Sequence, residues 1–259
     1  MIQIGLISPF LVNKYLTCPR SFMFRNLFNL SLFPSKERNF FISAQERIDQ
    51  FTESFFASLR CQWKTLPKTK LEINYLLLTK FYSYIVLNQQ SEFKISHELD
   101  EKVFTLLMWL ISFLWINATP IDRQKPFFLP IMVNQYIKAP ELNMQGRPSA
   151  VFTHPDDTKL LLIQTYNPSL CDSQNLVHLQ VAIYSQILDS IGVYIKDYLY
   201  VNYHTMAFIM QEFCRETEYK KLDNFLDSYY SSIVEYDFDP PKNPSCELCE
   251  FKIICQILG

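Results

Sequence analysis

The sequence predicts an α/β (α+β) fold in which a mixed central β-sheet is flanked by helices, behind a helical N-terminal part. Three observations predict it. Hydrophobic spacing changes from helical to alternating across the proline-rich link Pro120 to Pro130. Behind that link the elements run three strands, helix, two strands, helix, the order of a mixed sheet with helical cover. Cysteines gather at the two ends of the chain, Cys18 at one and Cys246, Cys249 and Cys255 at the other.

Each element has its own local cause. Ser8 followed by Pro9 is a helix start, with a hydroxyl to cap and a proline at the first turn. Ala44 to Leu59 places Ile48, Phe51, Phe55, Phe56 and Leu59 on one helical face. Leu71 to Leu87 and His97 to Trp115 are two further helices, the second behind Ser96. After the link, Ile131 to Ile137 is extended. Gly146 to Thr153 and Lys159 to Tyr166 are strands joined by the turn His154-Pro155-Asp156-Asp157. Gln174 to Ser190 is a helix with Leu176, Leu179, Ile183 and Leu188 near one face. Lys196 to Tyr203 and Met206 to Phe213 pair as a hairpin around His204-Thr205, and Glu216 to Val234 is the last long helix before Pro240-Pro241. The organisation expected is one domain over residues 1–259. Within it residues 44–119 form a helical section, 130–235 the sheet core, and 1–30 with 240–259 the segments that hold a metal cluster.

Composition narrows the function classes. At 259 residues, 49% hydrophobic and 15% aromatic, the chain has ample length for a core. A net charge of -2 argues against binding nucleic acid by bulk charge, although basic residues gather near the N-terminus (Lys14, Arg20, Arg25, Lys36, Arg38). Four glycines leave no room for a glycine-rich phosphate loop. The apolar run Val103 to Ile116 is shorter than the roughly 20 residues a bilayer span needs, so no membrane association is expected. Seven cysteines without a signal peptide fit a reducing cytoplasm rather than a disulfide framework.

The terminal cysteines carry chemistry. Cys246, Cys249 and Cys255 are spaced C-x2-C-x5-C, which brings three soft thiolates into one loop; a fourth from elsewhere completes an all-cysteine site. If Cys18 is that fourth ligand, a metal centre staples the two chain ends together.

The order of motifs (helix with C-P-R at Cys18-Pro19-Arg20, strand with Gly146-Arg147-Pro148-Ser149-Ala150-Val151, a second strand, a helix with Q-x-x-x-Y at Gln180 and Tyr184, and the C-terminal cysteine triplet) resembles the RecB-like branch of the PD-(D/E)XK nucleases. More narrowly it is similar to members with an iron–sulfur cluster, the CRISPR-associated four-type exonucleases and the AddB helicase–nuclease subunit. The resemblance spans nearly the whole chain in motif order. It implies a PD-(D/E)XK-like fold and a [4Fe-4S] cluster on Cys18, Cys246, Cys249 and Cys255, with zinc as the alternative occupant of four thiolates.

The departures from that family matter more. Its nucleases hold a divalent metal with a helix histidine, an aspartate in one strand and an acid in the next, where a lysine helps to orient the attacking water. By position Gln45 stands for the histidine, Ser149 for the aspartate, Gln164 for the second acid and Tyr166 for the lysine. All four lose a charge or a ligand, so no catalytic Mg2+ or Mn2+ and no hydrolysis are expected. Asp156 and Asp157 are a solvated turn pair in this alignment; Glu141 and Asp172 lie outside strands, and the four histidines read as loop or surface residues. The function expected is therefore a catalytically inactive nuclease-fold protein with a structural cluster. It would serve as a nucleic-acid-binding module or as a protein-interaction subunit of a larger complex, with no small-molecule substrate. Aromatics interleaved with cations (Tyr15, Arg20, Phe22, Phe24, Arg25, Phe28) would stack on bases in the first case, or pack the helix against the core. The alternative is an active metal-dependent DNA exonuclease with relocated acidic residues.

Overall fold

A computed structural model describes residues 6–28, 44–46, 48–57, 79, 105, 129–153, 157–166, 174–235, 238, 251 and 255. Helix α1 spans Pro9–Thr17, and Ser8 Oγ accepts a hydrogen bond from the Leu11 N–H at 3.2 Å, the cap expected from the sequence. The helix stops at Cys18 because Pro19 drives the preceding residue out of the helical region, and Cys18 is extended (φ -161°, ψ 101°). Pro19 then opens α2 (Pro19–Phe22), which runs into a π-helical turn at Met23–Leu27. Residues 44–46 and 48–57 form α3, with Ile48, Phe51, Phe55 and Phe56 buried as their spacing predicts; Leu59 lies outside the described residues. Of the two helices expected at 71–87 and 97–115 only Thr79 and Thr105 are described, both helical and exposed.

Strand β1 is Leu129–Val133, β2 Ile137–Ala139, β3 Met144–Gly146, β4 Ala150–Thr153, β5 Lys159–Thr165, β6 Ile195–Asn202 and β7 Ala207–Glu212. Five of them form a mixed sheet in the order β1-β4-β5-β6-β7. Its pairs are antiparallel except β5 with β6, which run parallel because helix α4 (Gln174–Asp189) makes the crossover between them. Helix α5 (Arg215–Glu235) follows β7. The hairpin β6–β7 turns where the sequence places it: Asn202 Oδ1 accepts from the N–H groups of His204 (2.9 Å) and Thr205 (3.4 Å).

Two expectations need correction. Residues 131–137 are not one extended stretch, and residues 146–153 are not one strand. Asn134 turns into the left-handed region (φ 46°) and ends β1, while Arg147-Pro148-Ser149 interrupts the second segment. The detached halves, β2 and β3, pair as a separate two-stranded sheet. Ile7 adds itself to that sheet, its N–H bonding Asn143 O and its carbonyl accepting from the Gln145 N–H, both at 2.8 Å.

Helices cover both faces of the large sheet. Val151, Leu161, Ile163, Tyr198 and Tyr200 face one layer, made of α1, α4 and α5. On the opposite face Phe56 of α3 meets Phe152 of β4 edge-on at 5.0 Å. The central strand β5 is accordingly apolar on both sides, from Leu160 to Ile163. No helix among the described residues is long and apolar enough to cross a membrane.

Candidate functional site

Between α3 and the C-terminal end of β5 the structure gathers Gln45, Ser149, Gln164 and the backbone of Tyr166. The break before β4 presents Ser149, whose Oγ accepts the Gln164 N–H at 2.9 Å, a ladder position served by a side chain. The Gln164 amide is buried on the α3 face. Its Oε1 accepts from Thr52 Oγ1 at 2.7 Å, and its Nε2 donates to the Tyr203 hydroxyl at 2.8 Å. Gln45 closes the other side: its Oε1 accepts the Tyr166 N–H at 2.7 Å, and its Nε2 donates to Asp49 Oδ1 (3.0 Å) and Gln164 O (3.3 Å). The main chain of Tyr166 joins this network, and its ring meets His204 edge-on at 5.5 Å.

Neutral amides and hydroxyls therefore fill the centre, each engaged with another. Asp49, the carboxylate that accepts from Gln45, sits one helical turn after it. Burial raises its pKa above the usual carboxylate range, an effect opposed by the Gln45 hydrogen bond and the Arg147 guanidinium. Burial, and then the Asp49 charge, also raise the phenols of Tyr184 and Tyr203, which stay protonated as hydrogen-bonding groups. Arg147 is held at the rim, its Nε donating to Asn134 O at 2.8 Å and its Nη2 lying 3.6 Å from Glu53 Oε2. Asn134 in turn donates from Nδ2 to Asp49 O at 2.7 Å, tying the end of β1 to α3.

Gln180 and Tyr184 lie one turn apart on α4, Gln180 buried. The Tyr184 hydroxyl donates to Arg147 O at 3.2 Å. Its ring lies against Gly146, where an added Cβ would stand 2.8 Å from Tyr184 Cε1. A glycine at 146 is thus the condition for α4 to approach the strand break that carries Ser149.

At the chain ends, Cys18 caps α2, its Sγ accepting the Ser21 N–H at 3.4 Å. Cys255 closes a helical turn onto Phe251 (N–H to O, 2.8 Å). Phe251 is fully buried against Phe24, ring centroids 5.2 Å apart, with the Arg25 guanidinium 5.5 Å from the ring. The segments bearing Cys18 and Cys255 thus touch through Phe24 and Phe251. Cys246 and Cys249 lie outside the described residues; among those described, no three His, Cys, Asp or Glu side chains form a metal-binding group.

The aromatics divide. Tyr15 and Phe22 are buried against Tyr229 at 5.0 and 5.8 Å, and Phe24 is buried on Phe251, so these three rings pack the helices and have no face for a base. Phe10 (66% exposed) and Phe28 (49%) point to solvent. Sequence reasoning missed Phe10, and also Asp49, Thr52 and Tyr203; Asp49 and Thr52 follow Gln45 at helical spacing, which was the available signal. It also misplaced His178, which is in α4 and largely buried, its Nδ1 3.1 Å from Glu218 Oε2. His204 is exposed at its turn, and Asp157 and Glu141 are exposed as well, while His97, His154, Asp156 and Asp172 lie outside the described residues.

No family model and no curated relative matches the chain. A solved structure described as the crystal structure of SSO0001 aligns over 97% of this chain and 96% of that one at 14% identity. Its TM-score of 0.27 is too low for the likeness to carry an argument.

Proposed function

We propose that the protein is a catalytically inactive member of the RecB-like PD-(D/E)XK nucleases whose ends are cross-linked by a [4Fe-4S] cluster on Cys18, Cys246, Cys249 and Cys255. On this reading it acts by binding, to nucleic acid or within a protein complex, and not by hydrolysis. One observation carries it: the neutral side chains of Gln45, Ser149 and Gln164 are all engaged, Gln45 and Ser149 with the main chain of Gln164 and the Gln164 amide with Thr52 and Tyr203. Mg2+ and Mn2+ need hard, anionic oxygens that outcompete water, and amides and hydroxyls already satisfied by protein partners do not supply them. The cluster's own contribution is structural. The contact of Phe24 with Phe251 supports it by bringing together the segments that hold the first and last ligands.

Asp49 favours the second reading, an exonuclease with relocated acids, because it places a carboxylate beside Gln45. A single carboxylate already accepting a hydrogen bond is a poor divalent site, and the first reading is preferred.

The test is anaerobic purification followed by metal analysis and a nuclease assay. The expected result is iron and acid-labile sulfide at about four each per chain, and no Mn2+-dependent degradation of single-stranded DNA. Zinc in place of iron would replace the cluster with a closed tetrahedral site. Cleavage abolished by Asp49→Ala or Asp156→Ala would establish the exonuclease. Cys18→Ala and Cys249→Ala should speed proteolysis of the N-terminal helices; unchanged digestion would remove the staple.

A further inference from the structure

We draw no further inference here: the strongest candidate, the largely buried His178–Glu218 side-chain pair between α4 and α5, gathers no third metal-ligating side chain among the described residues, and with Lys221 2.9 Å from the same carboxylate it is accounted for as a polar contact that joins the two helices.

Discussion

Gln164 is the position at which the proposed loss of catalysis and the stability of the fold meet, so its removal is the sharpest test. Gln164→Leu keeps the volume roughly constant and deletes the amide. Two buried groups then lose a partner: the Thr52 hydroxyl, which donates to Oε1 at 2.7 Å, and the Tyr203 hydroxyl, which accepts from Nε2 at 2.8 Å. Thr52 is in a helix and its hydroxyl can turn to a carbonyl of the preceding turn; Tyr203 is fully buried. At about 1–3 kcal/mol for each orphaned buried polar group, the cost is about 1–3 kcal/mol if Thr52 re-pairs and about 2–6 kcal/mol if it does not. Tyr203→Phe strands the Gln164 Nε2 and should cost about 1–3 kcal/mol by the same reasoning. The double variant leaves neither group unpaired at that contact, so it should be about 2–6 kcal/mol more stable than the sum of the single losses, two orphaned groups being avoided. Equilibrium urea unfolding of the anaerobic, loaded protein reads these differences as midpoint shifts at constant slope. Additivity within about 0.5 kcal/mol would refute the closed hydrogen-bond centre, and with it the argument that its oxygens are unavailable to a metal.

Three further outcomes follow from the same geometry. Gly146→Ala puts a Cβ 2.8 Å from Tyr184 Cε1 and 3.1 Å from Ile187 Cδ1, which should destabilise by about 1–3 kcal/mol; Tyr184→Ala in that background should recover part of the loss, as thermal melts would show. Asp49→Asn should stabilise the protein at neutral pH, because an acid with a raised folded pKa favours folding below its unfolded value of 3.8 and loses that contribution as pH rises through the folded pKa. The gain over wild type should vanish as the pH falls towards 3.8; a constant gain would exclude titration of Asp49 as its source. Burial lowers the pKa of His178 below 6.5, against the attraction of Glu218, so wild-type stability should be full above pH 6.5 and fall as the pH drops below it. His178→Gln should flatten that acid limb of a melting-temperature profile.

The sequence alone determined what depends on local spacing and capping. Ser8-Pro9 starts α1, Cys18-Pro19 ends it, and the apolar face of Gln174 to Ser190 produces α4 to within one residue of its expected end. The β6–β7 hairpin was legible because alternation and an Asn-based turn are local signals. Motif order groups Gln45, Ser149 and Gln164, and the structure brings the three into contact. Only the tertiary structure decided how those side chains are used. The splitting of residues 131–137 and 146–153 between two sheets depends on Asn134 entering the left-handed region and on α4 pressing Tyr184 against Gly146, contacts across 37 or more residues that no local period encodes. The sorting of aromatics into packed Tyr15, Phe22 and Phe24 and exposed Phe10 and Phe28 was equally invisible in sequence. A phenylalanine is apolar in either place, and its burial is set by whether another element, here α5 or Phe251, arrives to cover it.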